Sequence, residues 1–154
     1  MLWFREAKLI GAYSIGVHGK GEISLEDILK RVRENKDLDK AGAIACFIGI
    51  VRGEGLRGGK VKKLAFEAYK EEAEKSLARI AEDLLKRPGI VDVRIHHVIG
   101  ELEVGEDIVY VVVAGGHRSE VFEVLREAVE RMKREAAIWK KEITDRGEYW
   151  VSGE

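Results

Sequence analysis

The chain has 154 residues, enough for one domain with a real hydrophobic core. Its 27 Lys and Arg against 28 Asp and Glu leave a net charge of −1, which implies no general nucleic-acid or membrane surface and leaves only a local basic patch open. The single cysteine, Cys46, excludes an intrachain disulfide and a cysteine-rich zinc site. The start, MLWFREAKLIG, has neither a signal-peptide core nor a membrane-spanning run, so a soluble, cytoplasmic protein is expected.

Residues 7–17, with Leu9, Ile10, Tyr13 and Ile15, read as a strand. The stretch SIGVHGKGE invites a phosphate-loop reading. That pattern needs Gly at 14 and Ser or Thr at 21, where Ser14 and Gly21 stand. A glycine-rich turn with His18 exposed in it fits better. Ser24 then reads as a helix N-cap, with Asp27 at the position where Glu or Gln would complete a capping box. Leu25, Ile28, Leu29 and Val32 form the buried stripe of a helix ending near Asn35.

Residues 42–51, GAIACFIGIV, are nearly all apolar and read as a central strand with both faces covered. Cys46 lies inside that run and is expected to be a buried core thiol. Four glycines between 53 and 59 then mark a mobile loop, longer than a tight hairpin needs and suited to a functional flap. Arg52 is the first polar residue past the strand and is placed to point into a site at its end.

Residues 61–69 alternate, with Leu64, Phe66 and Ala68 on one face, and read as a strand pairing with the preceding one. Residues 70–87 form an amphipathic helix with Ala73, Leu77, Ile80, Ala81, Leu84 and Leu85 inward, ended by Pro88-Gly89. Residues 90–98 are a further strand. Adjacent His96 and His97 point to opposite faces and cannot both bind one metal, so one is read as a half-buried structural histidine and no metal is expected. Residues 100–107 read as a turn and 108–114 as a β-branched strand. Residues 117–142 follow as one helix, with Val121, Phe122, Leu125, Ala128, Val129 and Met132 inward and Lys133 and Lys140 two turns apart on a shared face. The tail, residues 147–151, can add an edge strand.

The order β-α-β-β-α-β-β-α-β is an α+β pattern, a mostly antiparallel sheet with helices laid on one face. No repeat, low-complexity tract or long linker divides it, so residues 1–154 are read as a single domain.

Arg52, His117, Arg118, Lys133 and Lys140 form the chemically interesting set. Gly115 and Gly116 give the backbone room to approach a ligand. If Ser119 caps the following helix, its free N–H groups favour an anion there. Arginine offers a planar fork for phosphate, and a lysine among other cations can lose its proton near neutrality and act as base or nucleophile. Against this, lysines at helical spacing are commonly a solvated face, and Glu120, Glu123, Glu127, Glu130 and Glu135 are available as partners.

Several motifs together resemble a known family: GAIACFIGIVRGEG at 42–55, LAFEAY at 64–69, HHVIGELEVGE at 96–106, AGGHRSEVFE at 114–123, MKREAAIWKKE at 132–142 and the closing Trp150-Val151. In order and spacing they resemble the large, catalytic subunit of molybdopterin synthase, the MoaE family. The resemblance covers a core of residues 42–154, whereas the strand-helix segment 1–40 matches poorly. The family often has Pro where Ala137 stands, which would let the helix run further here.

The resemblance implies an alpha/beta-hammerhead-like fold and a sulfurtransferase. Such an enzyme converts cyclic pyranopterin monophosphate (precursor Z) to molybdopterin by installing two dithiolene sulfurs, a step of molybdenum cofactor biosynthesis. The sulfur arrives as a thiocarboxylate on the Gly-Gly C-terminus of a small ubiquitin-like carrier subunit of the MoaD family. Two catalytic subunits form a homodimer, and with two small subunits a heterotetramer. The resemblance makes Lys133 and Lys140 the catalytic candidates. Arg52, His117 and Arg118 would bind the pterin phosphate, Ile50, Val51, Lys141 and Glu142 would line the pocket, and some of these would come from the second protomer. It implies no metal, cofactor, nucleic acid or membrane partner. The alternative is a non-catalytic anion- or RNA-binding module using the same basic pocket; aromatics interleaved with basic residues on one strand face would favour RNA, and Phe47 and Phe66 sit in apolar runs.

Overall fold

The computed structural model describes residues 14–151. Strand β1 is Ile15–Gly19, so most of the strand expected over residues 7–17 lies outside the described residues. His18 belongs to β1 instead of an exposed turn, and its Nε2 lies 2.9 Å from His96 Nδ1. Helix α1 spans Leu25–Arg33 and opens as its sequence dictates, with Ser24 Oγ accepting from Asp27 N–H at 3.2 Å. The remaining elements are β2 (Ala43–Ile50), β3 (Val61–Ala68), α2 (Lys70–Leu85), β4 (Ile90–Glu103), β5 (Asp107–Gly115), α3 (Arg118–Glu135), β6 (Ile138–Thr144) and β7 (Gly147–Val151).

The strands form a seven-stranded sheet in the order β2-β5-β4-β3-β6-β7, antiparallel throughout, with β1 pairing parallel to β4. The α+β architecture is as expected. The two long helices lie on one face, where Leu77, Ile80 and Leu84 of α2 and Val121, Val124 and Ala128 of α3 pack on Val109, Val111 and Val113 of β5. The other residues of β5, Tyr110, Val112 and Ala114, meet Ile28 and Val32 of α1 on the opposite face. β5 is therefore the strand covered on both sides, and its unbroken Val run follows from that. Among the described residues, no helix is long and apolar enough to cross a membrane.

Several expectations change. β2 is not central: among the described residues it ends the sheet and pairs only with β5, and Cys46, Ile48 and Ile50 are exposed on it. Cys46 is thus no core thiol, though neighbouring groups still push its pKa up by partial burial. An apolar run marks a surface that excludes water, and says nothing of whether the same chain supplies the cover. β3 does not pair with β2; it lies between β4 and β6. β4 runs on to Glu103, passing through Gly100 at φ +99°, so the turn shrinks to three residues before β5. His96 and His97 are both buried.

The largest change concerns residues 117–142. α3 stops at Glu135, Ala136 turns to an extended conformation, and the chain returns as β6 against β3. The Tyr69 N–H donates to Ala137 O at 3.2 Å at this corner. No Pro or Gly marks the break, and the sheet hydrogen bonds offered by β3 outweigh the helical propensity of AAIWKKE. Within α3, Val124 takes the inward place expected of Phe122, which is 62% exposed.

Candidate active site

A cavity of about 660 Å3 opens where the last turn of α3, the end of β2, β3 and β6 converge beneath the glycine-rich loop. It is lined by Arg52, Lys133, Lys140 and Glu142 together with Phe47, Ile48, Ile50, Phe66, His97, Met132 and Ile138. The lining mixes cations with apolar and aromatic side chains, Lys140 standing directly across from Phe66, which suits a flat ring carrying an anionic group.

The two lysines meet by a route different from the expected one. Lys133 stands in the last turn of α3 and Lys140 on β6, opposite Phe66 of β3. The chain reversal at Ala136 brings both to the same cavity. Along β6 the side chains alternate, so Ile138, Lys140 and Glu142 line the cavity and Trp139, Lys141 and Ile143 do not. Lys141 pairs instead with Glu148 at 3.3 Å and lies 5.5 Å from the Trp150 ring centroid.

Glu142 is only 4% exposed, and its Oε1 accepts from the Leu56 N–H at 3.0 Å. A Cβ on Gly55 would stand 2.6 Å from that same oxygen, so only glycine lets the loop close down on the carboxylate. The loop is tied elsewhere too: Gly55 N–H donates to Gly59 O at 3.0 Å, Lys60 N–H to Asp145 Oδ1 at 2.8 Å, and the Arg57 guanidinium lies 4.9 Å from the Tyr149 ring centroid. It is an anchored wall of the cavity, in place of the loose flap expected. Arg52 Nε donates to Glu54 O at 3.2 Å, which turns the side chain along this wall. Ile50 is 56% exposed at the rim, whereas Val51 is buried behind it with its N–H donating to Glu106 O.

His117 and Arg118 are exposed and do not line this cavity. His117, not Ser119, is the N-cap of α3, and its side chain makes no capping bond. From His117 to Lys133 the helix advances roughly 24 Å at about 1.5 Å per residue. That span, and the absence of His117 and Arg118 from the lining, sets them apart from Lys133 within one chain. Gly115 is explained by close packing, since a Cβ there would meet Gly89 O at 2.9 Å, and so is Gly42, whose Cβ would meet Gly116 O at 2.5 Å; a Cβ on Gly116 itself would make only ordinary contact, 3.6 Å from Lys40 O.

The sequence reading missed His97, Phe66 and Met132 as cavity residues. They come from β4, β3 and α3. His97 Nδ1 lies 2.8 Å from Val98 O, and burial pushes its pKa down to about 4. The carbonyl can only accept, so Nδ1 carries the hydrogen and Nε2 the lone pair. The ring stands edge-on to Phe66, with centroids 5.1 Å apart.

Residues 19–135, well over half of the chain, match the family model described as MoaE protein. The chain belongs to the MoaE family. It is 49% identical over 113 residues to the molybdopterin synthase catalytic subunit of Pyrococcus abyssi, covering 73% of this chain and 76% of that protein. The crystal structure of molybdopterin synthase from Staphylococcus aureus superposes with a TM-score of 0.77 at 34% identity, covering 90% of this chain and 96% of the other. The fold is also that of a chain in the complex of subunits 1 and 2 of molybdopterin-converting factor from Helicobacter pylori, with a TM-score of 0.71 at 22% identity, covering 92% of each chain.

The MoaE match takes in α1, Arg52, His117, Arg118 and Lys133, and so begins upstream of Gly42. It ends at the last residue of α3, before Lys140 and Glu142. β6 is what adds those two residues to the cavity.

Proposed function

We propose that this MoaE-family chain is the catalytic subunit of a cytoplasmic molybdopterin synthase, a sulfurtransferase that converts cyclic pyranopterin monophosphate to the dithiolene of molybdopterin. The observation that carries the reading is the convergence of Arg52, Lys133 and Lys140 on one cavity that aromatic and apolar side chains also line. The sulfur donor is the C-terminal thiocarboxylate of a small ubiquitin-like MoaD-type subunit. A donor delivered as a protein tail asks no cysteine of the site, in keeping with Cys46 standing outside the cavity lining.

In this reading Arg52 holds the substrate phosphate with its planar fork, and positioning plus charge stabilisation supply the main catalytic effect. Lys133 moves the proton at the reacting carbon as the cyclic phosphate opens. Lys140 assists it and holds the carboxylate of the carrier tail. Glu142 supports the loop wall instead of touching substrate. His117 and Arg118 serve the cavity of a second protomer, so the working unit is a homodimer, with one small subunit per catalytic subunit. The separation of the two ends of α3 supports this division.

The RNA-binding alternative has less support. Phe47 and Phe66 line the cavity, and the one sheet face where tryptophans and lysine alternate, Trp139, Lys141 and Trp150, has its cations matched by acids: Lys141 by Glu148 and nearby Lys63 by Glu101 at 2.8 Å. The test is reconstitution of the chain with thiocarboxylated small subunit and cyclic pyranopterin monophosphate. Formation of the dithiolene product is expected; binding of the pterin with no product would favour the non-catalytic reading.

A further inference from the structure

His97 is the cavity residue to which the reading above gives no role. It is 6% exposed, yet it lines the cavity beside Phe66, Met132 and Val109. Its Nδ1–H is spent on Val98 O, which leaves Nε2 as a bare acceptor. That nitrogen has no partner among the described residues. It is not a fully buried orphan, a description that among the described residues fits only Glu120 Oε2. The ring lines the cavity, and Nε2 is the polar atom it has left to offer a ligand there. The imidazole cannot readily turn to hide this lone pair, because rotation would break the Val98 bond and the edge contact with Phe66. An acceptor held half out of water without a donor is costly, and a ligand that supplies an N–H there removes the cost.

The lining says which kind of ligand. Arg52, Lys133 and Lys140 line the same cavity as His97, Phe47, Phe66 and Met132. The matching molecule is a flat heterocycle that carries both an N–H donor and an anion. The pyrimidinone half of a pterin carries both ring N–H and exocyclic amino donors.

We propose that His97 is a further substrate-binding residue, whose Nε2 accepts a hydrogen bond from an N–H of the pterin ring and so sets the ring's orientation while the phosphate meets the lining cations. The inference rests on the pterin-phosphate reading of this cavity. It makes His97 a determinant of specificity: a ligand presenting a carbonyl or ether oxygen at that place would set acceptor against acceptor and be rejected.

The test compares the wild-type chain with His97→Phe and His97→Gln, each reconstituted with thiocarboxylated small subunit and cyclic pyranopterin monophosphate. Phenylalanine keeps the ring against Phe66 and removes the acceptor; glutamine keeps an acceptor oxygen. His97→Phe is expected to raise KM about tenfold, the effect of one lost hydrogen bond of ordinary strength, with kcat much less affected. His97→Gln is expected to recover part of the loss. Inhibition by inorganic phosphate, which needs only the lining cations, is expected to stay at its wild-type strength in both. An unchanged KM in His97→Phe overturns the inference while wild-type turnover leaves the pterin reading standing. Absence of turnover and of pterin binding in the wild type overturns that reading itself. Should the Phe variant fail to fold, the nitrogen-15 resonance of His97 Nε2 in the wild-type protein decides: it shifts when the pterin binds, and no shift contradicts the proposal.

Discussion

Glu142 Oε1 accepts a hydrogen bond from the Leu56 N–H at 3.0 Å, linking β6 to the loop that walls the cavity across 86 positions of sequence. The carboxylate is buried, so its removal leaves an unsatisfied backbone N–H and a space beneath Gly55. Glu142→Ala is expected to cost about 1–3 kcal/mol of stability. Amide exchange at Leu56 is expected to speed up while α2 stays protected, and turnover falls because the wall carrying Arg52 loosens. Unchanged exchange at Leu56 would show that the bond does not hold the loop.

The buried His97 and the half-buried His18 make the fold sensitive to acid. His97 has its pKa lowered to about 4 by burial, and His18 has its own lowered by burial as well. In the unfolded chain both return to about 6.5. Between about pH 6.5 and 4 the unfolded state binds more protons, so stability is full above about 6.5 and falls as the pH drops through this window. For His97 the loss approaches about 3 kcal/mol at the lower end. Chemical denaturation across this range is expected to show the decline, and His97→Gln to flatten part of it. A wild-type stability that stays level down to pH 4.5 would contradict the buried, neutral imidazole.

Arg52 is exposed at the cavity rim, so its removal should spare the fold. Arg52→Ala is expected to weaken pterin-phosphate binding by about ten- to a hundredfold, the scale of a lost hydrogen bond to a charged group. Its effect on sulfur release from the thiocarboxylate is expected to be smaller. Titration calorimetry with the substrate checks the first, and single-turnover kinetics the second.

If His117 and Arg118 serve a partner protomer, two inactive variants should rescue one another. Lys133→Ala and Arg118→Ala are each expected to be inactive or nearly so. A hybrid dimer of the two contains one site with both lesions and one with neither. Mixing and exchanging the subunits is expected to restore turnover toward half the wild-type value per hybrid. Activity that stays at the level of the separate variants would place each site within a single chain.

Much of this was legible in the residues, but not the geometry that joins them. The stripes Ile28-Val32 and Leu77-Ile80-Leu84 identify α1 and α2 because each helix packs on one sheet face. Lys133 and Lys140 line one cavity, but helical spacing is not what joins them: one residue is at a helix end and the other on a strand. The open edge of β3, some 70 residues upstream, decides that break, and no local signal carries it. β2 was misplaced because an apolar strand at an edge and one at a centre have the same composition. His97 escaped notice because its partners Phe66 and Met132 become neighbours only through sheet pairing and the return of α3.

The most direct measurement is single-turnover dithiolene formation by Lys133→Ala, reconstituted with thiocarboxylated small subunit and cyclic pyranopterin monophosphate. Lys133 is exposed at the end of α3, so the variant is expected to keep its fold and thermal stability. Substrate and small subunit are expected to bind, and the rate of product formation to fall by about a hundredfold or more, the scale of a lost general acid–base group. Wild-type turnover by that variant would contradict the account.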